Sequence, residues 1–281
     1  PEAYLEQIFN ESRKVQLTTP ENKPRPVFAY EDWGPSGEVV AEKKDADLDI
    51  HQLEFSNGVR LNFKKTDFKK NSILVNLHVG AGLLEFPLEQ SDLAWVGDAT
   101  LIAGGLGKHS SEDLEAVLAG KNIDLFFNVA EDAFEFLLST TPEDLGLGLN
   151  FLCAYLTDPG YRPEALAQAR KYWAEGYELE KYDVDLLYAR KKRWYLSNKD
   201  PRFGAPEQKK LMARELSELK TVLDTPFKEG AIEVSIVGDF EPAALIEACK
   251  ATLGALPQRK TEKAAWMERR QVRFPDRPAE P

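Results

Sequence analysis

A pair of short strands joined by a tight turn is the feature that most limits how this chain can fold. Residues 123–130 and 133–140 each have the length and apolar content of a strand, and only Glu131 and Asp132 lie between them. Two strands separated by two residues pair as an antiparallel hairpin. The sequence therefore predicts an antiparallel sheet rather than a purely helical core.

The remaining strands and helices extend this hairpin into a mixed fold. Residues 53–61 are predicted as a strand carrying an Asn57-Gly58 turn, and the order β-β-α-β-β-α-α-α-β-α follows from it. Thr141, Pro142 and Asp144 predict a helix start with a capping box. The fold class expected is α+β, with a largely antiparallel sheet and helices packed on one face. The other predicted strands are 73–79 and 231–237, and the predicted helices are 91–103, 141–156, 162–182, 215–223 and 241–253. Residues 184–196 form a long amphipathic stretch between the third and fourth of these helices.

Charge and composition exclude several classes of partner. The chain has 281 residues, 43% of them hydrophobic, and a formal net charge of −11. This charge argues against a nucleic-acid partner or an anionic membrane surface. No apolar run approaches the roughly 18 residues that a membrane span needs, and no signal peptide is visible. The two cysteines, Cys153 and Cys249, are expected to be buried free thiols rather than a disulfide or metal pair.

The two ends of the chain differ in composition from its middle. Residues 1–45 contain a predicted short helix followed by prolines and a charged stretch, which is typical of a linker or N-terminal extension. Residues 258–281 are rich in Arg, Lys, Glu and Pro and are predicted as a C-terminal linker. The domain itself is predicted to comprise residues 46–257.

Three segments carry a resemblance to a known family. They are SNGVRLNFKKTDFKK at 56–70, IEVSIVGDF at 232–240 and ATLGALP at 251–257. In this order and spacing the chain resembles the M16 family of zinc metallopeptidases (insulinase, pitrilysin and processing-peptidase relatives) over residues 48–257. That family is built from four units of one fold, of which the first carries the zinc site. The resemblance identifies this chain with the third unit, which lacks zinc ligands.

The zinc motif of the family is degenerate in this sequence. The inverted motif His-x-x-Glu-His is replaced by Trp95-Val96-Gly97-Asp98-Ala99. Trp95 and Ala99 cannot ligate zinc, and Asp98 stands at the general-base position without a metal to activate water. Glu175 or Glu178 occupies the region of the third ligand, where a carboxylate on a solvated helix face is the favoured interpretation. We therefore expect no catalytic and no metal site in this chain.

The three histidines and the glycine-rich segments were considered as other sites. His51 and His78 fall in or beside strands, and His109 opens a segment that matches the inverted motif for four positions only. A helix cap formed by Ser110 and Asp113 is favoured there over a metal site. Residues 104–108 lack the spacing of a phosphate loop, residues 80–82 lack the third glycine of a dinucleotide fingerprint, and no serine or cysteine nucleophile pattern is present.

Two segments are candidates for binding without chemistry. In the catalytic unit of the family, the strand that matches Asp124, Phe126 and Asn128 is an edge that pairs with extended peptide. These three residues are therefore the predicted substrate-binding set, with a core hairpin as the favoured alternative. The aromatic and basic stretch 182–195 is a candidate contact for an acidic segment or a partner half, with an amphipathic helix as its alternative.

The resemblance implies a function for the parent protein and a different one for this chain. The expected function is a non-catalytic domain that forms part of a peptide-enclosing chamber, while another unit of the same or a partner chain binds zinc and hydrolyses peptide or unfolded protein. A catalytically inactive partner or scaffold subunit is the alternative, and an unrelated α+β enzyme is a third hypothesis. A periplasmic or extracytoplasmic place follows only from family analogy.

Overall fold

The computed structural model describes residues 2–15 and 25–275. Seven strands and nine α-helices occur in this described part. The strands are β1 Val39–Asp45, β2 Ile50–Phe55, β3 Arg60–Lys65, β4 Ile73–Val79, β5 Asp124–Val129, β6 Phe134–Thr140 and β7 Ile232–Gly238. The helices are α1 Glu2–Ser12, α2 Leu93–Thr100, α3 Ser111–Leu118, α4 Leu145–Thr157, α5 Pro163–Leu179, α6 Val184–Leu196, α7 Gln208–Met212, α8 Leu216–Glu229 and α9 Pro242–Ala251.

All seven strands form one sheet in the order β1-β2-β3-β7-β4-β6-β5. Every neighbouring pair is antiparallel except β3 and β7, which are parallel and pair Arg60 with Glu233 through Lys65 with Gly238. The predicted strand at 53–61 is in fact a hairpin. The chain reverses at Asn57 and at Gly58, whose positive φ of 85° suits a residue without a side chain.

The helices cover one face of this sheet and leave the other open. Along β4, β6 and β7 the inward residues are buried and the alternate residues are partly or largely exposed, which is the period-2 pattern of a sheet solvated on one side. Helix α2 packs on β5, α4 packs on β6, and α8 joins α2 to α4. The predicted α+β class with helices on one face is confirmed.

The start of α4 differs from the prediction. The helix begins at Leu145, four residues after the predicted cap at Thr141. The Asp144 carboxylate does not cap it, because one of its oxygens accepts a hydrogen bond from the Asn122 backbone N–H at 2.8 Å. This bond, together with Lys121, holds the pKa of Asp144 below its usual value. The carboxylate therefore ties the loop before β5 to the start of α4.

The predicted N-terminal extension contributes to the domain. Helix α1 is exposed, but Phe28 and Tyr30 are buried in the core. The Tyr30 hydroxyl donates to Asp158 at 2.5 Å and accepts from the Lys108 backbone N–H at 2.8 Å. Strand β1 then pairs with β2 along its length. The sheet and the core thus extend into the segment before residue 46.

The described part of the C-terminal segment also lies against the domain. Arg259 is buried and donates a side-chain hydrogen bond to the Phe227 carbonyl. Its backbone N–H bonds the Asn57 carbonyl at 2.8 Å. Further along, Arg269 donates to the Leu84 carbonyl at 2.6 Å. We call residues 258–275 the C-terminal strap.

Both cysteines are free thiols in the interior. Cys153 on α4 and Cys249 on α9 are buried, as the sequence predicts. Burial raises the pKa of the Cys249 thiol to about 12, so it stays protonated. Within the described residues, no helix combines the length and the apolar character that crossing a membrane requires.

Candidate functional site

Helix α2 carries the residues that the sequence resemblance aligns with the zinc motif. Its N-terminal end is fixed by the buried Asp92, which receives two hydrogen bonds from the Arg214 guanidinium at 2.8 and 3.0 Å. Leu93, Val96 and Gly97 are buried, and Gly97 faces β5 and α8. Trp95, Asp98 and Ala99 are less buried and lie on the remaining part of the helix surface.

Trp95 lies beneath an arginine of α6. The Arg190 guanidinium carbon is 5.7 Å from the centre of the Trp95 ring and 4.1 Å from that of Tyr177. Arg190 also pairs with Glu180 at 2.9 Å, and the two side chains are only 13% and 14% exposed. A guanidinium stacks on aromatic faces and pairs with a carboxylate at the same time. We call these four residues, Trp95, Tyr177, Glu180 and Arg190, the Arg190 clasp.

Asp98 is exposed on α2 and its carboxylate also contacts the sheet. One carboxylate oxygen accepts a hydrogen bond from the Val129 backbone N–H at 2.7 Å, at the end of β5. Neighbouring protein atoms displace water from the carboxylate and raise its pKa to about 6, and the Val129 bond opposes this shift. The residue still keeps contact with solvent. The Asp98 carboxylate, which aligns with the general base of the motif, thus connects α2 to β5.

Ala99 and Glu175 do not complete a metal site. Ala99 is half-buried against the hydrophobic core, and Glu175 is exposed on α5. Among the residues that the structure describes, no three His, Cys, Asp or Glu side chains come together as metal ligands. Zinc does not fit at these positions, because neither the Trp95 indole nor the Ala99 methyl group supplies a ligand.

The three histidines have separate structural surroundings. The Ser110 and Asp113 capping box is confirmed at the start of α3. His109 itself is buried, and its Nε2 accepts a hydrogen bond from the Ala29 backbone N–H at 3.0 Å. His51 stacks on Phe63 with ring centres 4.9 Å apart. Sequence reasoning missed the contact of His109 with the N-terminal segment, which no local pattern signals.

The predicted substrate-binding residues lie on the open face of the sheet. Asp124, Phe126 and Asn128 are alternate residues of β5, and their side chains point away from the helices. Phe126 is 55% exposed and lies in register with Leu137 of β6. Two further apolar residues, Leu74 and Val237, face each other on β4 and β7.

These four apolar side chains form a shallow groove of about 690 Å³ across β5, β6, β4 and β7. Leu74, Leu137 and Val237 are 59%, 40% and 41% exposed. Soluble proteins rarely leave such contiguous apolar area uncovered unless it binds something. We call Leu74, Phe126, Leu137 and Val237 the open-face patch. Only Phe126 of this patch was predicted; the members on β4, β6 and β7 were not, although the alternation of those strands would identify them.

A polar row borders the patch on the same face. The His78 Nε2 lies 3.2 Å from a carboxylate oxygen of Glu135, and Asn128 donates to the other oxygen at 3.1 Å. Asn62 donates to Glu233 at 2.8 Å in the same region of the sheet. The open face thus has apolar side chains and paired polar side chains next to each other.

The aromatic and basic stretch 182–195 includes α6 and divides into two parts. Arg190 points inward to the clasp, whereas Tyr182 and Tyr188 are largely exposed. Arg193 forms an ion pair with Glu131 in the β5–β6 turn. Some side chains of this stretch therefore attach α6 to the rest of the domain, and others are exposed to solvent.

Three comparisons with known proteins agree with this architecture. The chloroplastic stromal processing peptidase of Arabidopsis thaliana is 27% identical over 216 residues, which are 76% of this chain and 17% of that protein. The periplasmic protease PqqL of Escherichia coli superposes with a TM-score of 0.74 at 16% identity, over 94% of this chain and 29% of that one. The peptidase M16 inactive domain from Pseudomonas fluorescens superposes with a TM-score of 0.61 at 15% identity, over 75% of this chain and 51% of that one.

The fold is that of M16-type peptidase structures, and the positions of α2 that align with the family motif make other contacts. In sequence and in fold the chain is therefore similar to units of M16 peptidases. No family model matches it. It spans only 17% to 20% of the length of the first curated relatives.

Proposed function

We propose that this chain is a non-catalytic unit of an M16-type zinc metallopeptidase and forms part of a chamber that encloses peptide. Another unit of the parent protein binds zinc and hydrolyses the peptide. The observation that supports this most directly is the use of the motif positions for structural contacts. Trp95 packs under Arg190 at 5.7 Å and Asp98 accepts from Val129 at 2.7 Å.

The open face supplies the surface for the chamber wall. Its groove of about 690 Å³ is lined by the open-face patch and bordered by hydrogen-bonding side chains. An unfolded segment of varied sequence offers both apolar side chains and backbone polar groups. A mixed surface of this kind suits broad rather than narrow peptide recognition.

The partners in this proposal are the other units of the parent protein and the peptide or unfolded protein that they enclose. The curated relatives are several times longer than this chain, so further units of such a parent have room on the same polypeptide. PqqL is described as periplasmic, and a periplasmic or extracytoplasmic place for this chain remains part of the proposal.

A catalytically inactive partner or scaffold subunit is the second candidate. It is favoured by the likeness to the Pseudomonas fluorescens structure, which is described as an inactive domain and of which this chain covers half. The two candidates differ in whether the zinc-binding unit lies on the same polypeptide. The parent coding sequence distinguishes them.

The test combines metal content with peptide binding by the purified chain. After dialysis we expect less than about a tenth of an equivalent of zinc by elemental analysis, because the motif positions offer no ligand set. Added zinc should not produce cleavage of fluorescein-labelled casein. One equivalent of zinc that resists mild chelation would refute the non-catalytic assignment.

The same preparation tests the chamber wall by fluorescence anisotropy with fluorescein-labelled unfolded casein. Phe126→Ser should weaken binding about tenfold, because a phenyl ring buried in a complex contributes roughly 1.5–3 kcal/mol. Phe9→Ser is the matched control, since Phe9 on α1 is 59% exposed against 55% for Phe126. Equal loss in both variants, or none in Phe126→Ser, contradicts the role of the open face.

A further inference from the structure

The edge of the sheet at β5 has backbone groups directed away from the sheet. Strand β5 pairs only with β6. Ala130 donates its N–H to the Ala133 carbonyl at 2.9 Å and so forms a hydrogen-bonded pair across the turn. Antiparallel pairs alternate between bonded and non-bonded types. Leu125, Phe127 and Val129 therefore direct their N–H and C=O groups toward the open edge.

Two of these three residues retain free donors within the part of the chain that the structure describes. Neither the Leu125 nor the Phe127 N–H has a partner among the side-chain and turn hydrogen bonds. The Val129 N–H differs, because the Asp98 carboxylate accepts it at 2.7 Å. An unpaired strand edge is a template for another extended segment.

We propose that Asp98 sets where a strand added to β5 must end. The carboxylate lies where the carbonyl of an incoming strand would have to accept from Val129. Two electron-rich oxygens cannot share that position without loss. An added strand can therefore form hydrogen bonds with Leu125 and Phe127, and its pairing ends before Val129.

This inference rests on the proposed function in one respect, since it takes the added strand to be an extended peptide. It goes beyond that function by assigning a boundary and a residue. Asp98 acts here as a positioning residue at the end of the binding edge. Its place on α2, which packs on β5, fixes the boundary relative to the sheet.

The experiment compares Asp98→Ala, Asp98→Asn and Glu164→Ala with the unchanged chain. The probe is a short fluorescein-labelled peptide of alternating valine and threonine, followed by anisotropy. Asp98→Ala should bind it about threefold to tenfold more tightly, because the freed Val129 N–H adds one hydrogen bond worth roughly 0.5–1.5 kcal/mol. Asp98→Asn keeps an acceptor oxygen and should bind as before, as should Glu164→Ala, which changes an exposed α5 carboxylate.

Amide hydrogen exchange separates this inference from the proposed function. In the free chain, the Val129 amide should exchange more slowly than those of Leu125 and Phe127, and Asp98→Ala should abolish the difference. With peptide bound, Asp98→Ala should gain protection at Val129 and the unchanged chain should not. Unaltered peptide affinity and exchange in a folded Asp98→Ala protein overturn the inference. Absence of any peptide binding, with the exchange difference intact, overturns the proposed function instead.

Discussion

At the scale of single residues, the positions that the sequence aligns with a zinc motif form structural contacts. Trp95 offers a ring to Arg190, and Asp98 offers an oxygen to Val129. Because neighbouring protein atoms displace water from the Asp98 carboxylate, its pKa lies above that of a free aspartate.

Asp98 predicts a specific dependence of stability on pH. Its folded pKa of about 6 lies above the ordinary 3.8, so the folded chain binds more protons than the unfolded chain between these values. The free energy of unfolding should therefore fall as pH rises through this window. Because Asp98 keeps contact with solvent, the effect should stay under about 1 kcal/mol.

The measurement is urea unfolding of the unchanged chain and of Asp98→Asn at about pH 4.5 and pH 7.5. The difference in stability between the two proteins should shift in favour of Asp98→Asn at the higher pH. A difference that does not change with pH would show that Asp98 titrates normally.

At the scale of elements, α6 depends on a few polar and aromatic contacts rather than on a buried stripe. None of its residues is fully buried. Arg190 anchors it through Glu180 at 2.9 Å and through the rings of Trp95 and Tyr177. The helix that covers the motif positions is thus held mainly by one side chain.

Arg190→Met should lower the free energy of unfolding by about 1–3 kcal/mol, because Glu180 loses its partner and two rings lose a stacked guanidinium. The stability of Arg190→Lys should lie between those of the unchanged chain and Arg190→Met, because an ammonium keeps the charge but cannot stack as a plane on the rings. Urea unfolding measures both. Lys192→Met on the same helix changes an exposed lysine and should leave stability within about 0.5 kcal/mol. A similar loss in Lys192→Met would show that helix propensity, and not the clasp, controls α6.

Sequence reasoning predicted elements well where the pattern is local. The hairpin β5–β6 and strand β4 were found from short apolar runs and turns, and the bounds of α6 match those of the amphipathic stretch 184–196. Strand β1 was missed because six of its seven residues are exposed. It carries no hydrophobic alternation, and its stability comes from the ladder to β2.

The candidate site could be predicted only where its features follow from a local sequence pattern. The alternation along β5 could be predicted from sequence, whereas the binding role of these residues and the loss of the zinc motif stay predictions. The partners of Trp95 and Asp98 could not be predicted, because Arg190 and Val129 are distant in sequence and only the packing of α2 brings them close.

At the scale of the whole molecule, the predicted linkers are integrated into the domain to different degrees. Helix α1 is exposed, whereas the C-terminal strap places Arg259 in the interior and bonds the Phe227, Asn57 and Leu84 carbonyls through its side chains and backbone. The boundary of the folding unit therefore lies beyond residue 257.

Two deletions test this boundary. Removal of residues 258–281 should lower the free energy of unfolding by more than about 3 kcal/mol, because several buried carbonyls lose their donors at roughly 1 kcal/mol each. Removal of residues 1–15 should change it by less than about 0.5 kcal/mol. Thermal and urea unfolding give both values. Equal stability of the C-terminal deletion and the full chain would restore residue 257 as the boundary.

The placement of β7 between β3 and β4 also governs how the chain is assembled during synthesis. Ribosomes deliver β1 to β6 first, as two separate half-sheets whose edges at Arg60–Lys65 and Ile73–Val79 have no partner yet. Exposed edges of this kind invite pairing with other nascent chains. The seven residues Ile232–Gly238 seal both edges in one step. The last strand to emerge thus joins the two half-sheets into one sheet. A chain that stops before β7 is left with two half-sheets that share no core.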